Sequence, residues 1–304
     1  MRTFAKQYNL QYEYDMFLET VKFTGMSVSI KGLIGSSLVY HNGSIYDLQA
    51  PIEYRDGNVY VPESIRDIFA QKRLPVYPIP SIVDIKTIIL DAGHGGKDPG
   101  ARYGGIEEKR LNLKLVSLLK NELEKYGIRV LLTRIDDRYI SLKKRVRIAA
   151  DSQADFFVSI HINASRNRSR QGLEIYYLSE RFMNEQVKEI VMKENAEVSR
   201  EITSTTSHIL KDMISQENLT RSLELAHAIY RAAGKFGLKT NCIRGAPFYV
   251  LKYNRLPSIL IEVGYLSNTY ERTQLIKSSY LKEIVEAVTL GIVTLKKQYA
   301  YIHQ

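Results

Sequence analysis

The chain has 304 residues, 44% of them hydrophobic and 25% charged, so it can bury a core and is neither disordered nor fibrous. Its formal charge of +10 favours anionic partners such as nucleic acid, acidic membrane or acidic wall polymer. The single cysteine, Cys242, excludes an internal disulfide and a cysteine-rich zinc site.

No stretch approaches the roughly 20 apolar residues that a transmembrane helix needs. The N-terminal Met1-Arg2-Thr3-Phe4-Ala5-Lys6 has no apolar signal core. An exported protein is therefore expected to carry its targeting segment outside this chain.

Residues 1–73 read as a small β-rich module with one or two helices. Thr20-Val21-Lys22-Phe23 and Ser27-Val28-Ser29-Ile30 alternate as half-buried strands do. Asn42-Gly43 and Asp56-Gly57 are hairpin signals, and Val59-Tyr60-Val61-Pro62 looks like a strand running into a helix. Residues 74–85 include Leu74-Pro75-Val76-Tyr77-Pro78-Ile79-Pro80. Those prolines should stiffen the chain and stop it pairing, so a linker is expected.

From residue 86 to 304 strands and helices alternate. The expected strands are 87–92, 129–133, 155–161, 172–178, 247–251 and 258–264. Leu111, Leu115, Leu118, Leu119 and Leu123 form one helical stripe, and further helices are expected at 141–151, 219–235 and 279–297. This order implies an α/β domain with a central mixed, largely parallel sheet of about six strands flanked by helices.

Residues 180–224 interrupt the alternation with a helical insert. Six Lys/Arg against nine Asp/Glu make it acidic at −3, while the rest of the chain carries +13. Val187, Ile190, Val191, Val198 and Ile202 fall on one apolar stripe, and Glu194 falls in its middle. A glutamate on a buried face needs a cation or a donor, either an open metal position or an arginine on the docking surface.

The chemistry-bearing residues stand at strand ends. His94 follows Ile88-Ile89-Leu90 in the glycine-rich Asp91-Ala92-Gly93-His94-Gly95-Gly96-Lys97-Asp98-Pro99-Gly100. His161 closes Phe156-Phe157-Val158-Ser159-Ile160, and Glu262 interrupts the apolar run Ile259–Val263. Two histidines and a lone glutamate so placed suit a zinc hydrolase, because catalytic sites in such sheets gather at the C-terminal strand ends. A third, carboxylate ligand is expected from Glu107 or Glu108, which open the leucine-striped helix. An amide is a poor electrophile, and zinc both polarises a carbonyl and lowers the pKa of water to about 7.

Five stretches in register resemble the zinc-dependent N-acetylmuramoyl-L-alanine amidases of bacteria, the type 3 amidase family. They are Asp91–Gly96, Glu108-Lys109 before Leu111, Leu132-Thr133-Arg134, Ser159–Ala164 and Ile261–Asn268, and the resemblance covers about residues 86–296. It implies that His94, Glu108 and His161 bind zinc, that Glu262 is catalytic, and that Glu108 rather than Glu107 is the ligand. It also implies peptidoglycan as substrate, cut between the lactyl carbonyl of N-acetylmuramic acid and L-alanine. Ala150 stands where the family often has asparagine, at a position that is not a ligand.

Arg244-Gly245-Ala246-Pro247-Phe248-Tyr249-Val250-Leu251 resembles a family segment near the site. Arg244 is therefore a candidate substrate contact, able to hold a stem-peptide carboxylate, and Asn163 is another because it lies just past His161. In a regulated subset of the family a helical insert blocks the site until an activator protein removes it. Glu194-Asn195-Ala196 is similar to the start of that insert, which makes Glu194 a candidate inhibitory ligand. Residues 1–73 loosely resemble the N-terminal domain of copper amine oxidases, implying a wall-positioning role without copper chemistry.

The expected setting is the periplasm or cell wall. Two other readings compete: a zinc peptidase or deacetylase on a similar sheet, and a non-catalytic wall- or nucleic-acid-binding protein. Against the last stand the complete His94, Glu108, His161 and Glu262 set and the lack of an aromatic-basic nucleic-acid motif.

Overall fold

The structure, a computed structural model, describes residues 8–15, 20–25, 29–34, 38–41, 44–48, 50, 52–55, 58–69, 76–77, 84–179, 185–197 and 211–302. The chain divides into two compact units, residues 1–84 with 294–304, and residues 85–293.

In the first unit β1 (Gln11–Asp15), β2 (Thr20–Thr24), β3 (Ser29–Leu33), β4 (Leu38–His41) and β5 (Ser44–Asp47) pair antiparallel in sequence order. Their alternation buries Val21, Phe23, Ile30 and Val39 in one cluster with Ile52 and Ile65. The pairings His41 to Ser44 and, between β6 (Glu53–Arg55) and β7 (Asn58–Tyr60), Arg55 to Asn58 bracket the two expected turn dipeptides. A short helix α1 (Ile65–Phe69) follows.

The stretch expected as an unpaired linker holds a strand. Val76–Tyr77 forms β8 and pairs with Tyr46 and Ile45 at the edge of the first sheet. The prolines flank these two residues instead of falling on them. Both N–H groups are therefore intact, and an edge position tolerates the neighbours.

The second unit holds the six-stranded sheet that the sequence implies. Its strands are β9 (Thr87–Ala92), β12 (Arg129–Leu132), β13 (Phe156–Asn163), β14 (Leu173–Leu178), β15 (Thr240–Ala246) and β16 (Ser258–Tyr265). A small hairpin, β10 (Arg102–Tyr103) with β11 (Ile106–Glu107), stands apart from it. The sheet order is β12-β9-β13-β16-β14-β15, all pairs parallel except β14 with β16. β13 and β16 are buried along their whole length, as central strands covered on both faces must be.

Helix α2 (Glu108–Glu124) packs on β9, β12 and β13 with Leu111, Leu115, Leu119 and Leu123 buried, while Leu118 of the expected stripe is exposed. Helix α3 (Leu142–Ala150) is capped by Ser141, whose hydroxyl accepts from Lys144 N. The insert contributes α4 (Glu185–Glu194), and α5 (Lys211–Lys235) packs on β14, β15 and β16. Short α6 (Tyr249–Lys252), α7 (Thr269–Leu275) and long α8 (Ser278–Ile302) complete the chain.

One expected strand is absent. Residues 247–251 form no strand: the strand is Thr240–Ala246, and the apolar run turns into α6 at Tyr249. Pro247 has no N–H to continue the ladder, and Val250 and Leu251 reach the core from a helical turn instead. The insert helix also ends earlier than its apolar stripe. α4 stops at Glu194, and Val198 and Ile202 lie outside the described residues.

Candidate metal centre

β9, β13 and β16 are neighbours, and their C-terminal ends bring three site residues together. His161 and Glu262 are paired across adjacent strands in the parallel register. His94 follows β9, one strand to the other side. Its φ of +61° is a left-handed conformation that costs a non-glycine residue energy, and such strain gathers where a side chain must be aimed. The loop glycines make room. A Cβ at Gly93 would stand 2.3 Å from His161 Cε1, and one at Gly100 would stand 2.5 Å from Glu108 Oε2.

Glu108, not Glu107, turns inward. Glu107 pairs with Arg102 at 3.0 Å and Arg110 at 3.2 Å. Glu108 is buried, accepting from Ala101 N at 2.8 Å, Ile162 N at 3.0 Å and Asn112 Nδ2 at 3.2 Å. Its Oε1 lies 3.2 Å from both His94 Nε2 and His161 Nδ1. One ligand atom each from His94, Glu108 and His161 falls within 4.8 Å of the others, and His161, Glu194 and Glu262 form a second such group.

The donors fit a divalent ion better than they fit one another. His94 Nε2 is buried and makes no hydrogen bond although carboxylate oxygens are near, and Glu262 Oε2 is buried without a partner. His94 is oriented from behind: its Nδ1 meets Asp98 Oδ2 at 2.8 Å, while Asp98 Oδ1 accepts from Gly100 N at 3.1 Å. That bond leaves Nε2 as the atom free to coordinate.

Electrostatics sort the carboxylates. Burial raises the pKa of Glu108, but His94 and His161 override it and hold the pKa well below the ordinary value. Burial is likewise outweighed at Glu194, where His94, His161 and Lys193 bring the pKa to about 2. At Glu262 burial and the like charges of Glu108 and Glu194 act together and push the pKa well above the ordinary value. His94 is raised well above its usual range because Glu108 and Glu194 outweigh its burial.

Two buried arginines fix the loop. Arg134 donates to the carbonyls of Ala92, Gly93 and Lys109 at 2.9, 2.9 and 2.8 Å. Arg145 donates to Ala92 O at 2.7 Å and His94 O at 2.8 Å, and pairs with buried Asp91. Asp91 also accepts from Thr133 and Ser159 hydroxyls at 2.6 and 2.7 Å. Sequence reasoning quoted Asp91, Asp98 and Arg134 without giving them roles. The available signal was a carboxylate directly after the apolar run Ile88–Leu90, which marks Asp91 alone.

Glu194 reaches this centre from α4. Its Oε2 lies 3.3 Å from His94 Nε2 and 3.4 Å from His161 Nδ1. Val187, Ile190 and Val191 bury α4 in a cluster with Tyr176, Phe248, Leu251 and Leu260. Lys193, also missed from sequence, places its ammonium 3.3 Å from Glu194 and 3.9 Å from Glu108. Asn195 donates to Pro247 O at 3.1 Å and accepts from Tyr249 N at 2.9 Å, and Glu197 accepts from Leu142 N at 3.1 Å.

A cavity of about 530 Å³ opens here, lined among others by His94, His161, Tyr139, Glu194, Asn195 and Tyr249. Arg244 and Asn163 are not in its lining. Asn163 is buried just beyond His161 with Nδ2 unpaired, and Arg244 stands on β15 with Nη1 buried and unpaired.

A His-Glu-His group that could hold a metal ion, with a neighbouring buried glutamate at the C-terminal edge of a mixed α/β sheet, is the arrangement of a hydrolase. The chain belongs to the N-acetylmuramoyl-L-alanine amidase family, whose model matches residues 88–294. It is 34% identical over 215 residues to the N-acetylmuramoyl-L-alanine amidase AmiC of Escherichia coli O6:H1, covering 67% of this chain and 51% of that protein. To AmiA of Escherichia coli K12 it is 30% identical over 69% of this chain and 75% of the relative.

The chain spans about half the length of several curated relatives it matches. Among solved structures, the CwlD amidase of Clostridioides difficile in complex with the GerS lipoprotein aligns with a TM-score of 0.55 at 29% identity. That alignment covers 71% of this chain and 99% of CwlD. AmiC2 of Nostoc punctiforme aligns equally well, with a TM-score of 0.55 at 29% identity over 70% of this chain and 97% of the other.

Proposed function

We propose that this protein is a zinc-dependent peptidoglycan amidase that hydrolyses the bond between the lactyl group of N-acetylmuramic acid and L-alanine. The observation that carries this reading is the convergence of His94, Glu108 and His161 within 4.8 Å, with Glu262 paired to His161 on the next strand. His94, Glu108 and His161 would hold the ion, since imidazole and carboxylate without thiolate suit zinc. Bound zinc supplies a water of lowered pKa and a polarised carbonyl.

Glu262 takes the proton of the attacking water and returns it to the leaving amine of L-alanine. Burial within β16 is the first cause of the upward pKa shift at Glu262, and a carboxylate shifted in that direction suits both halves of that task. Asn163 Nδ2 and Arg244 are proposed substrate contacts, the arginine for a stem-peptide carboxylate.

The insert holds the enzyme closed in this reading. Glu194 stands where water and substrate must meet, and three buried apolar side chains of α4 secure it, each contributing roughly 1.5–3 kcal/mol. An activator protein that prefers the open form about 10⁴-fold would turn a 1% open population into the dominant one. Export to the periplasm or cell wall follows from the substrate, and residues 1–73 are proposed as a wall-positioning module.

Digestion of purified peptidoglycan by the zinc-loaded chain and its Glu194→Ala variant, with mass analysis of products, tests the reading. Free muramic lactyl carboxylate and peptides beginning at L-alanine are expected. Cuts within the stem peptide or release of acetate would replace it with a peptidase or deacetylase.

A further inference from the structure

The contact of Asn195 with residues 247–249 marks a place for a substrate's peptide backbone. β15 ends at Ala246 and its partner β14 ends at Leu178, so the residues that follow emerge past the sheet into the cavity. Phe248 is extended, with φ −61° and ψ 137°. The Pro247 carbonyl and the Tyr249 N–H on either side of it are satisfied together by one group, the Asn195 carboxamide.

That pattern is the parallel β-bridge. A single residue of an extended partner gives its N–H to one carbonyl and takes an N–H two residues further on, which is how extended peptides add to an exposed edge. The Asn195 carboxamide stands in for the N–H and the C=O of one such partner residue. Its chain neighbour Glu194 reaches the metal centre, so adjacent residues of one segment present the carboxylate and the carboxamide.

We infer that, once the insert leaves, Pro247 O and Tyr249 N bind the backbone of the second stem-peptide residue, which donates its N–H to Pro247 and accepts from Tyr249. The subsite rests on the amidase reading and deepens it. It reads the second residue's N–H and α-carbonyl, which isoglutamine carries as an α-carboxamide, and so orients the scissile amide through these two groups. Asn195 competes directly with substrate for it, as Glu194 competes for the metal centre.

The test uses the zinc-loaded full chain carrying Glu194→Ala and Asn195→Ala, with muramoyl-L-alanyl-D-isoglutamine as substrate. Tyr249→Pro and Tyr249→Ala delete the same side chain but only the first removes the N–H. Tyr249 opens a helical turn, where proline is accommodated. KM for the dipeptide substrate is expected to be about 3–10-fold higher in the Pro variant than in the Ala variant, the effect of one hydrogen bond. For muramoyl-L-alanine, which lacks the second residue, the two variants should agree.

A substrate N-methylated at the second residue's amide probes the Pro247 carbonyl with Tyr249 intact, and its KM should rise by a similar factor. Equal Pro and Ala variants together with an unaffected N-methyl substrate overturn the subsite while leaving the amidase reading in place. Absence of any turnover of the unmodified dipeptide overturns both.

Discussion

Glu194 Oε2 lies 3.3 Å from His94 Nε2, an atom that makes no hydrogen bond of its own. A carboxylate from the segment after β14 thus stands among donors from β9, α2 and β13. Removing it as Glu194→Ala is expected to raise basal peptidoglycan hydrolysis about 10- to 100-fold, the weight of a charged contact of roughly 1.5–3 kcal/mol. Dye release from labelled peptidoglycan measures this, and an unchanged rate in a variant that melts cooperatively removes Glu194 from any inhibitory role.

His94→Ala and His161→Ala are expected to lose bound zinc, as read by elemental analysis of dialysed protein. Both side chains supply a nitrogen to the group within 4.8 Å, and no described cysteine lies there to replace them. Full stoichiometric zinc in both variants would take these residues out of the ligand set.

Asp98 acts through His94. With the 2.8 Å contact to Nδ1 gone, the ring loses its fixed orientation, so Asp98→Ala should weaken zinc affinity about 10- to 100-fold in a chelator competition. The same zinc affinity as the parent would show that the loop alone orients the histidine.

Asp91 is the stability test. Asp91→Ala leaves Arg145 buried without its carboxylate and should cost about 3–5 kcal/mol in denaturant unfolding. Burial raises the pKa of Asp91, but Arg145, Thr133 and Ser159 outweigh it and the net shift is downward from 3.8. Its contribution is therefore fully present above pH 3.8 and is lost as pH falls through the lower folded value. A variant whose stability matches the parent at pH 7 contradicts this.

The strand ends were legible because apolar runs closing on His94, His161 and Glu262 leave few arrangements other than a sheet with a polar end. Glu194 was legible from helical periodicity, since Ile190 and Val191 place it on their own face. Arg134 and Arg145 were not, because a charged residue reads as surface until the loop carbonyls that need donors are found beside it. The run Pro247–Leu251 misled because short apolar stretches look alike as strand or helix, and only the missing proline N–H separates them. Asn195 was quoted within Glu194-Asn195-Ala196, but its contacts gave no signal, since its partners are backbone atoms 52 and 54 residues away.

The most direct measurement is hydrolysis of a muramoyl dipeptide in ¹⁸O water by the Glu194→Ala chain, with Glu262→Gln added in a parallel sample. The account predicts label in the lactyl carboxylate and none in acetate or the peptide. It also predicts a rate about 10²–10⁴-fold lower in the parallel sample, with zinc still bound. Label appearing in acetate or a peptide carboxylate, or near-parental turnover by the Glu262→Gln chain, would contradict it.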